Sequence, residues 1–107
     1  VPMLGVGGYK AGAVTPHAAV LALMTDPKEA IRNIRRLIDE FPVYGDYGLY
    51  DAVDPITHQT ARNYLCLDQA MILLALANYM KDHAIQKYFA LDPITQRALP
   101  LLKIERF

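Results

Sequence analysis

Tyr47, Tyr50 and Asp51 belong to a ten-residue stretch, Tyr44-Gly45-Asp46-Tyr47-Gly48-Leu49-Tyr50-Asp51-Ala52-Val53, that sets three tyrosines and two carboxylates around two glycines. Tyr44, Tyr47 and Tyr50 recur at every third residue. Flat rings with a hydroxyl tip, next to carboxylates, suit the apolar C–H faces and hydroxyl rims of sugar rings. The same residues also make sense as a packing cluster with satisfied hydroxyls, its aspartates closing turns, and a short motif does not separate the two readings. The absence of Trp weighs against the sugar reading.

Asp68 and Gln69 form the second constellation. A carboxylate and an amide at the start of an otherwise apolar run, Ala70-Met71-Ile72-Leu73-Leu74-Ala75-Leu76-Ala77, are costly unless they find partners. Asp68 at a helix start gains from the helix dipole, which is its structural explanation. At the mouth of a helical barrel it would hydrogen-bond sugar hydroxyls or, with a raised pKa, donate a proton. His17, His58 and His83 are too scattered for a ligand set, and neither His-x-x-x-His nor Cys-x-x-Cys occurs, so no metal or other cofactor is expected. His17, near a helix start, reads as a structural hydrogen-bonder. Cys66, the sole cysteine, has no intrachain disulfide partner and reads as a small core side chain beside the apolar helix.

The elements that must hold these groups are helical. Thr15-Pro16 opens a helix, the hydroxyl available as a cap and the proline preset for the first turn, and the helix is predicted to run to Met24. Asp26-Pro27-Lys28-Glu29 is a capping box for a second helix. In it Ala30, Ile31, Ile34, Leu37, Ile38 and Phe41 recur at helical spacing opposite Arg32, Arg35, Arg36, Asp39 and Glu40, which makes it an amphipathic outer helix. Arg35–Asp39 and Arg36–Glu40 are four-apart pairs worth about 0.3 kcal/mol each. Pro42 ends that helix, the tyrosine stretch follows as a turning segment pivoting on Gly45 and Gly48, and Asp54-Pro55-Ile56-Thr57 reads as a turn. A third helix is predicted over Tyr64 to Met80, a polar break at Lys81-Asp82-His83, a fourth helix near Ala84 to Ala90, and a short fifth after Asp92-Pro93 that Pro100 interrupts.

Two apolar runs, Ala18 to Met24 and Ala70 to Ala77, are greasy on every side, so the first and third helices are expected to be buried. Neither reaches the roughly 20 residues that a bilayer span needs. Buried and amphipathic helices alternate, which suggests two concentric layers, although a plain helical bundle would show similar stripes. Eleven basic and eleven acidic side chains among 107 residues cancel, which disfavours nucleic acid and anionic membrane as partners. Gly5, Gly7, Gly8 and Gly12, around Tyr9 and Lys10, read as a loop, and their spacing fails the G-x-G-x-x-G fingerprint. No signal sequence is visible, and the chain opens on Val1 rather than Met, which leads us to expect a segment of something longer.

The blocks Gly7-Gly8-Tyr9-Lys10, Ala13-Val14-Thr15-Pro16, Tyr44 to Ala52, Tyr64-Leu65-Cys66-Leu67-Asp68-Gln69 and Asn78-Tyr79, in that order, resemble the C-terminal part of the bacterial putative-glucoamylase family. That family includes endo-β-1,2-glucanases and is related to the C-terminal region of cyclic β-1,2-glucan synthases. The resemblance implies an all-α fold, with residues 1–107 forming the C-terminal helical hairpins of an α/α toroid whose other hairpins lie elsewhere. It implies a periplasmic or extracellular glycoside hydrolase that cleaves a bacterial β-glucan with a pair of carboxylates expected upstream. Tyr47, Tyr50, Asp51, Asp68 and Gln69 match the family's motif positions and would line the cleft as sugar contacts. The expected partners are an oligo- or polysaccharide and the remainder of the domain, or another helical subunit if the chain is instead a non-catalytic interaction module or a synthase's accessory domain. The family commonly carries Phe where Leu49 stands, Gly-Pro in place of Ala70-Met71, and Glu in place of Ala77.

Overall fold

Proline-started helices carry most of the fold in the computed structural model, which describes residues 12–103. The loop expected around Gly5, Gly7, Gly8, Tyr9 and Lys10 lies outside the described residues. Helix α1 spans Pro16–Leu21 and passes into a 3-10 turn over Ala22–Met24, so the chain stays helical to the predicted end. Thr15 takes the extended N-cap conformation, yet its hydroxyl makes no capping bond; its backbone carbonyl accepts from Ala18 N at 3.1 Å instead.

Helix α2 spans Pro27–Glu40. Asp26 Oδ1 accepts from Glu29 N at 3.2 Å, half of the expected capping box. The other half is not made, because the Glu29 carboxylate turns along the helix to Arg32 at 2.8 Å. Arg36 and Glu40 pair at 2.8 Å, whereas Arg35–Asp39 does not close. Phe41 is forced into extended backbone, φ −132° and ψ 148°, by the ring of Pro42 that follows it, and this terminates the helix.

The central segment departs from an all-helical reading. Four two-residue strands, β1 (Tyr44–Gly45), β2 (Gly48–Leu49), β3 (Ala52–Val53) and β4 (Thr60–Ala61), form two antiparallel hairpins. Tyr44 pairs with Leu49 and Gly45 with Gly48, which leaves Asp46 and Tyr47 as the tip. Gly48 has φ +113°, a conformation that a side chain would strain. In the second hairpin Ala52 pairs with Ala61 and Val53 with Thr60, and Asp54 Oδ1 accepts from Ile56 N and Thr57 N at 2.8 and 3.2 Å, closing the expected turn. Val53 and Val14 exchange backbone bonds of 2.9 and 2.8 Å, tying this hairpin to the residues just before α1.

Helix α3 spans Cys66–Met80, α4 Ala84–Ala90 and α5 Pro93–Leu102. The polar break is a turn in which Asp82 and His83 both take positive φ. Asp92 Oδ1 caps α5 through Ile94 N and Thr95 N at 2.8 and 3.2 Å. Pro100 does not interrupt α5, which continues to Leu102.

The core is small. It gathers Ala19, Val20 and Leu23 of the first helical stretch, Ala30 and Leu37 of α2, Val43, Leu49 and Val53 of the hairpins and Ala75 of α3. The third helix was expected to be buried, and within this chain only one of its faces is covered. Of its 15 residues the buried ones are Asp68, Ala75 and Asn78, while Leu67, Leu73, Leu74, Leu76 and Met80 are exposed. The stripe Asp68, Ile72 and Ala75 turns toward α1 and the core, and a helix packed along one stripe leaves its other faces to solvent. Cys66 is off that stripe and exposed, not a core side chain. Among the described residues no helix is long and apolar enough to cross a membrane.

Candidate functional site

Three segments far apart in sequence meet at the N-terminal ends of α1 and α3. His17 stands in the first turn of α1, Asp51 between the two hairpins, and Asp68 in the first turn of α3. Asp68 is 5% exposed. Its Oδ1 lies 3.4 Å from His17 Nδ1, close enough for an ion pair with a protonated imidazole but not aligned as a hydrogen bond. Its Oδ2 is enclosed and has no hydrogen-bond donor among the described residues. Burial raises the Asp51 carboxyl above its ordinary 3.8, the charge of Asp68 and a side-chain hydrogen bond with it raise it further, and His17 pulls the other way. The cause is physical: two carboxylates in one half-enclosed place resist ionising together.

Asp51 is held at this spot by its backbone, whose N–H donates to the Asn63 carbonyl at 3.0 Å. Tyr50 N likewise donates to the Val43 carbonyl at 2.8 Å, and Val43 is fully buried. The junction Tyr50-Asp51 is thus pinned from both sides.

Tyr50, the residue before Asp51, belongs to a row of rings. Tyr47, at the hairpin tip and 81% exposed, meets Tyr64 edge to face with centroids 5.5 Å apart at 85°. Tyr64 in turn lies 5.0 Å from Tyr50 at 36°. The Tyr50 phenol is held above its ordinary 10.0, first by its hydrogen bond with Tyr64. Tyr64 OH also accepts from Tyr47 N at 3.3 Å. Gly45 makes this possible: a Cβ there would run into the phenols of Tyr50 and Tyr64.

Gln69 Nε2 donates to the Leu49 carbonyl at 2.9 Å, so the amide at the start of the apolar helix satisfies itself by fastening the hairpin. The structure therefore brings Tyr50, Asp51, Asp68 and Gln69 into one neighbourhood, with Tyr47 projecting from it. Tyr44 and Asp46 are exposed and take no part in the ring row. Two members escaped the sequence reading. Tyr64 replaces Tyr44 as the third ring, and its position just ahead of the third helix was the available signal. His17 had been assigned a structural role, and only its distance to Asp68 brings it into the site.

Outside this site, α3, α4 and α5 enclose an apolar groove lined by Leu74, Ile85, Phe89, Ile94, Leu99 and Leu102. Among the described residues no group of three or more His, Cys, Asp or Glu is placed to hold a metal ion.

Residues 2–93 match the family model described as putative glucoamylase. The chain belongs to this family. It is 35% identical over 113 residues to the cyclic β-(1,2)-glucan synthase NdvB of Rhizobium meliloti, covering 96% of this chain and 4% of the synthase. Its fold is similar to that of a putative glucoamylase from Bacteroides uniformis, with a TM-score of 0.72 and 29% identity over 87% of this chain and 23% of that one. It is also similar in fold to an endo-β-1,2-glucanase from Chitinophaga pinensis solved with sophorotriose and glucose, with a TM-score of 0.73 and 24% identity over 90% of this chain and 23% of the glucanase. The chain thus spans about a quarter or less of each of these relatives. As a member of the putative glucoamylase family it is a mostly helical, glycoside-hydrolase-like segment with short strands in its middle.

Proposed function

We propose that this segment is the C-terminal portion of a single α/α-toroid catalytic domain that hydrolyses a bacterial β-glucan, and that it supplies one wall of the saccharide groove. The observation that carries this reading is the meeting of Asp51 and Asp68 at the ends of two helices, with Tyr50, the residue before Asp51, part of the Tyr47–Tyr64–Tyr50 row. Tyr47 offers a flat, open ring to the C–H face of a sugar. The carboxylates of Asp51 and Asp68 accept from neighbouring sugar hydroxyls, and Gln69 stands at the foot of the wall. The acid and base that cleave the glycosidic bond belong to the remainder of the domain, which also covers the exposed apolar faces of α3 to α5.

The test is hydrolysis of linear β-1,2-glucan by the full-length protein that contains this segment, with Tyr47→Ala, Asp51→Asn and Asp68→Asn variants. Loss of one stacking or charged contact is expected to raise KM about tenfold, equivalent to ~1.4 kcal/mol. Unchanged KM in all three variants would overturn the reading.

A second reading is favoured by a separate observation. The 35% identity to the synthase supports an accessory domain of a glucan-synthesising protein, and the apolar groove is equally suited to a non-catalytic module docking a helical partner. A glycosyltransferase region encoded upstream would select the synthase; upstream helical hairpins with paired acidic residues would select the hydrolase.

A further inference from the structure

The hairpin that carries Tyr47 cannot orient itself. Its strands are two residues each, and an isolated two-stranded hairpin is marginal in water. Core burial of Val43 and Leu49 anchors its base, and among the described residues two side-chain hydrogen bonds grip it from outside. Tyr64 OH holds the tip at Tyr47 N, 3.3 Å away. Gln69, in the first turn of α3, reaches twenty residues back in sequence to hold the base through a 2.9 Å bond to the Leu49 carbonyl. Leu49 itself is buried in the core, so the amide is tied to a point that does not swing. The other end of the amide faces Gly48, where a Cβ would approach Oε1 to 3.1 Å, a tight contact that glycine avoids.

We infer that Gln69 is a positioning residue, which acts on a saccharide through Tyr47 by fixing the hairpin against α3 instead of binding the sugar itself. The claim rests on the glucan-groove reading for its ligand and on the hydrogen-bond geometry for its mechanism. An amide is the side chain the job needs. Ionised glutamate has the same shape but only accepts, so it would set a carboxylate against the Leu49 carbonyl with no proton between them. At the N-terminal turn of α3 the added negative charge favours the helix but places a third carboxylate next to Asp68, so the uncharged methionine variant separates loss of the donor from added charge. Methionine fills similar volume without a donor.

The experiment uses the full-length protein with Gln69→Glu and, as a second variant, Gln69→Met. Backbone amide hydrogen exchange across residues 44–50 is expected to speed up about tenfold, the scale of one lost hydrogen bond, with α2 unchanged. KM for linear β-1,2-glucan is expected to rise about tenfold at constant kcat, and to rise no further when either substitution is added to Tyr47→Ala. Independent, additive effects of Gln69 and Tyr47 would mean a direct sugar contact and would overturn the inference, as would exchange that stays at the wild-type rate. If the wild-type protein neither binds nor cleaves the glucan, the functional reading fails, and the exchange rates alone decide the clamp: faster exchange confined to the hairpin upholds it, and unchanged exchange refutes it.

Discussion

The carboxyl of Asp51, between the two hairpins, sits with that of Asp68, in the first turn of α3, and the proximity of the buried partner pushes Asp51 further in the direction that burial already sets. A carboxyl whose folded pKa is raised binds more protons folded than unfolded between its ordinary 3.8 and the raised value. Stability falls as pH rises through that window, since the slope follows the protons bound unfolded minus those bound folded. Asp51→Asn removes the titration. Relative to wild type, the variant is expected to gain stability as pH is raised from about 3 to 7, read as urea midpoints at each pH; a difference independent of pH would contradict the pairing.

Glycine at 45 and at 12 should respond differently to the same added methyl group. At Gly45 a Cβ meets the phenols of Tyr50 and Tyr64, whereas at Gly12, φ +100°, nothing lies within 4 Å. Gly45→Ala is therefore an overpacking change expected to cost about 2 kcal/mol and to break the ring row. Gly12→Ala carries only backbone strain of about 1 kcal/mol. Denaturant melts separate the two, and the near-ultraviolet signal of the tyrosines should change only for Gly45→Ala.

The helices were legible because their punctuation is chemical and local. Asp26-Pro27, Asp92-Pro93 and Phe41-Pro42 mark boundaries through one side chain or one ring, and α4 spans the predicted Ala84–Ala90. The hairpins were read only as a turning segment, since two-residue strands leave no alternation to detect. Which faces of α3 this chain itself covers was not legible for a different reason. An apolar run states that a helix can be covered on all sides, but coverage depends on neighbours, and here α1 and the core take one stripe. Tyr64 and His17 joined the site through contacts across the fold, to Tyr47 and Asp68, which spacing along the chain does not encode.

The two aspartate caps are expected to differ in reach. Asp26 caps α2, which buries Ala30 and Leu37, while Asp92 caps α5, which buries nothing. Asp26→Ala should lower global stability by about 1 kcal/mol. Asp92→Ala removes two N–H acceptances of similar local worth, but α5 is not coupled to the core, so its loss should appear as faster amide exchange confined to residues 93–102 with the melting midpoint unmoved.

Phe89 provides the sharpest measure of what the apolar groove is for. It is 70% exposed and lines the space between α3, α4 and α5. In the 107-residue chain taken alone, Phe89→Ala touches little and should change stability by less than about 0.5 kcal/mol. In the full-length protein, if sibling hairpins cover the groove as the toroid reading requires, the same substitution opens a cavity in a packed interface and should cost about 3 kcal/mol. Chemical melts of the two forms give the comparison directly. An equally small effect in both would leave the groove uncovered in the longer protein and would remove the packing argument for a toroid.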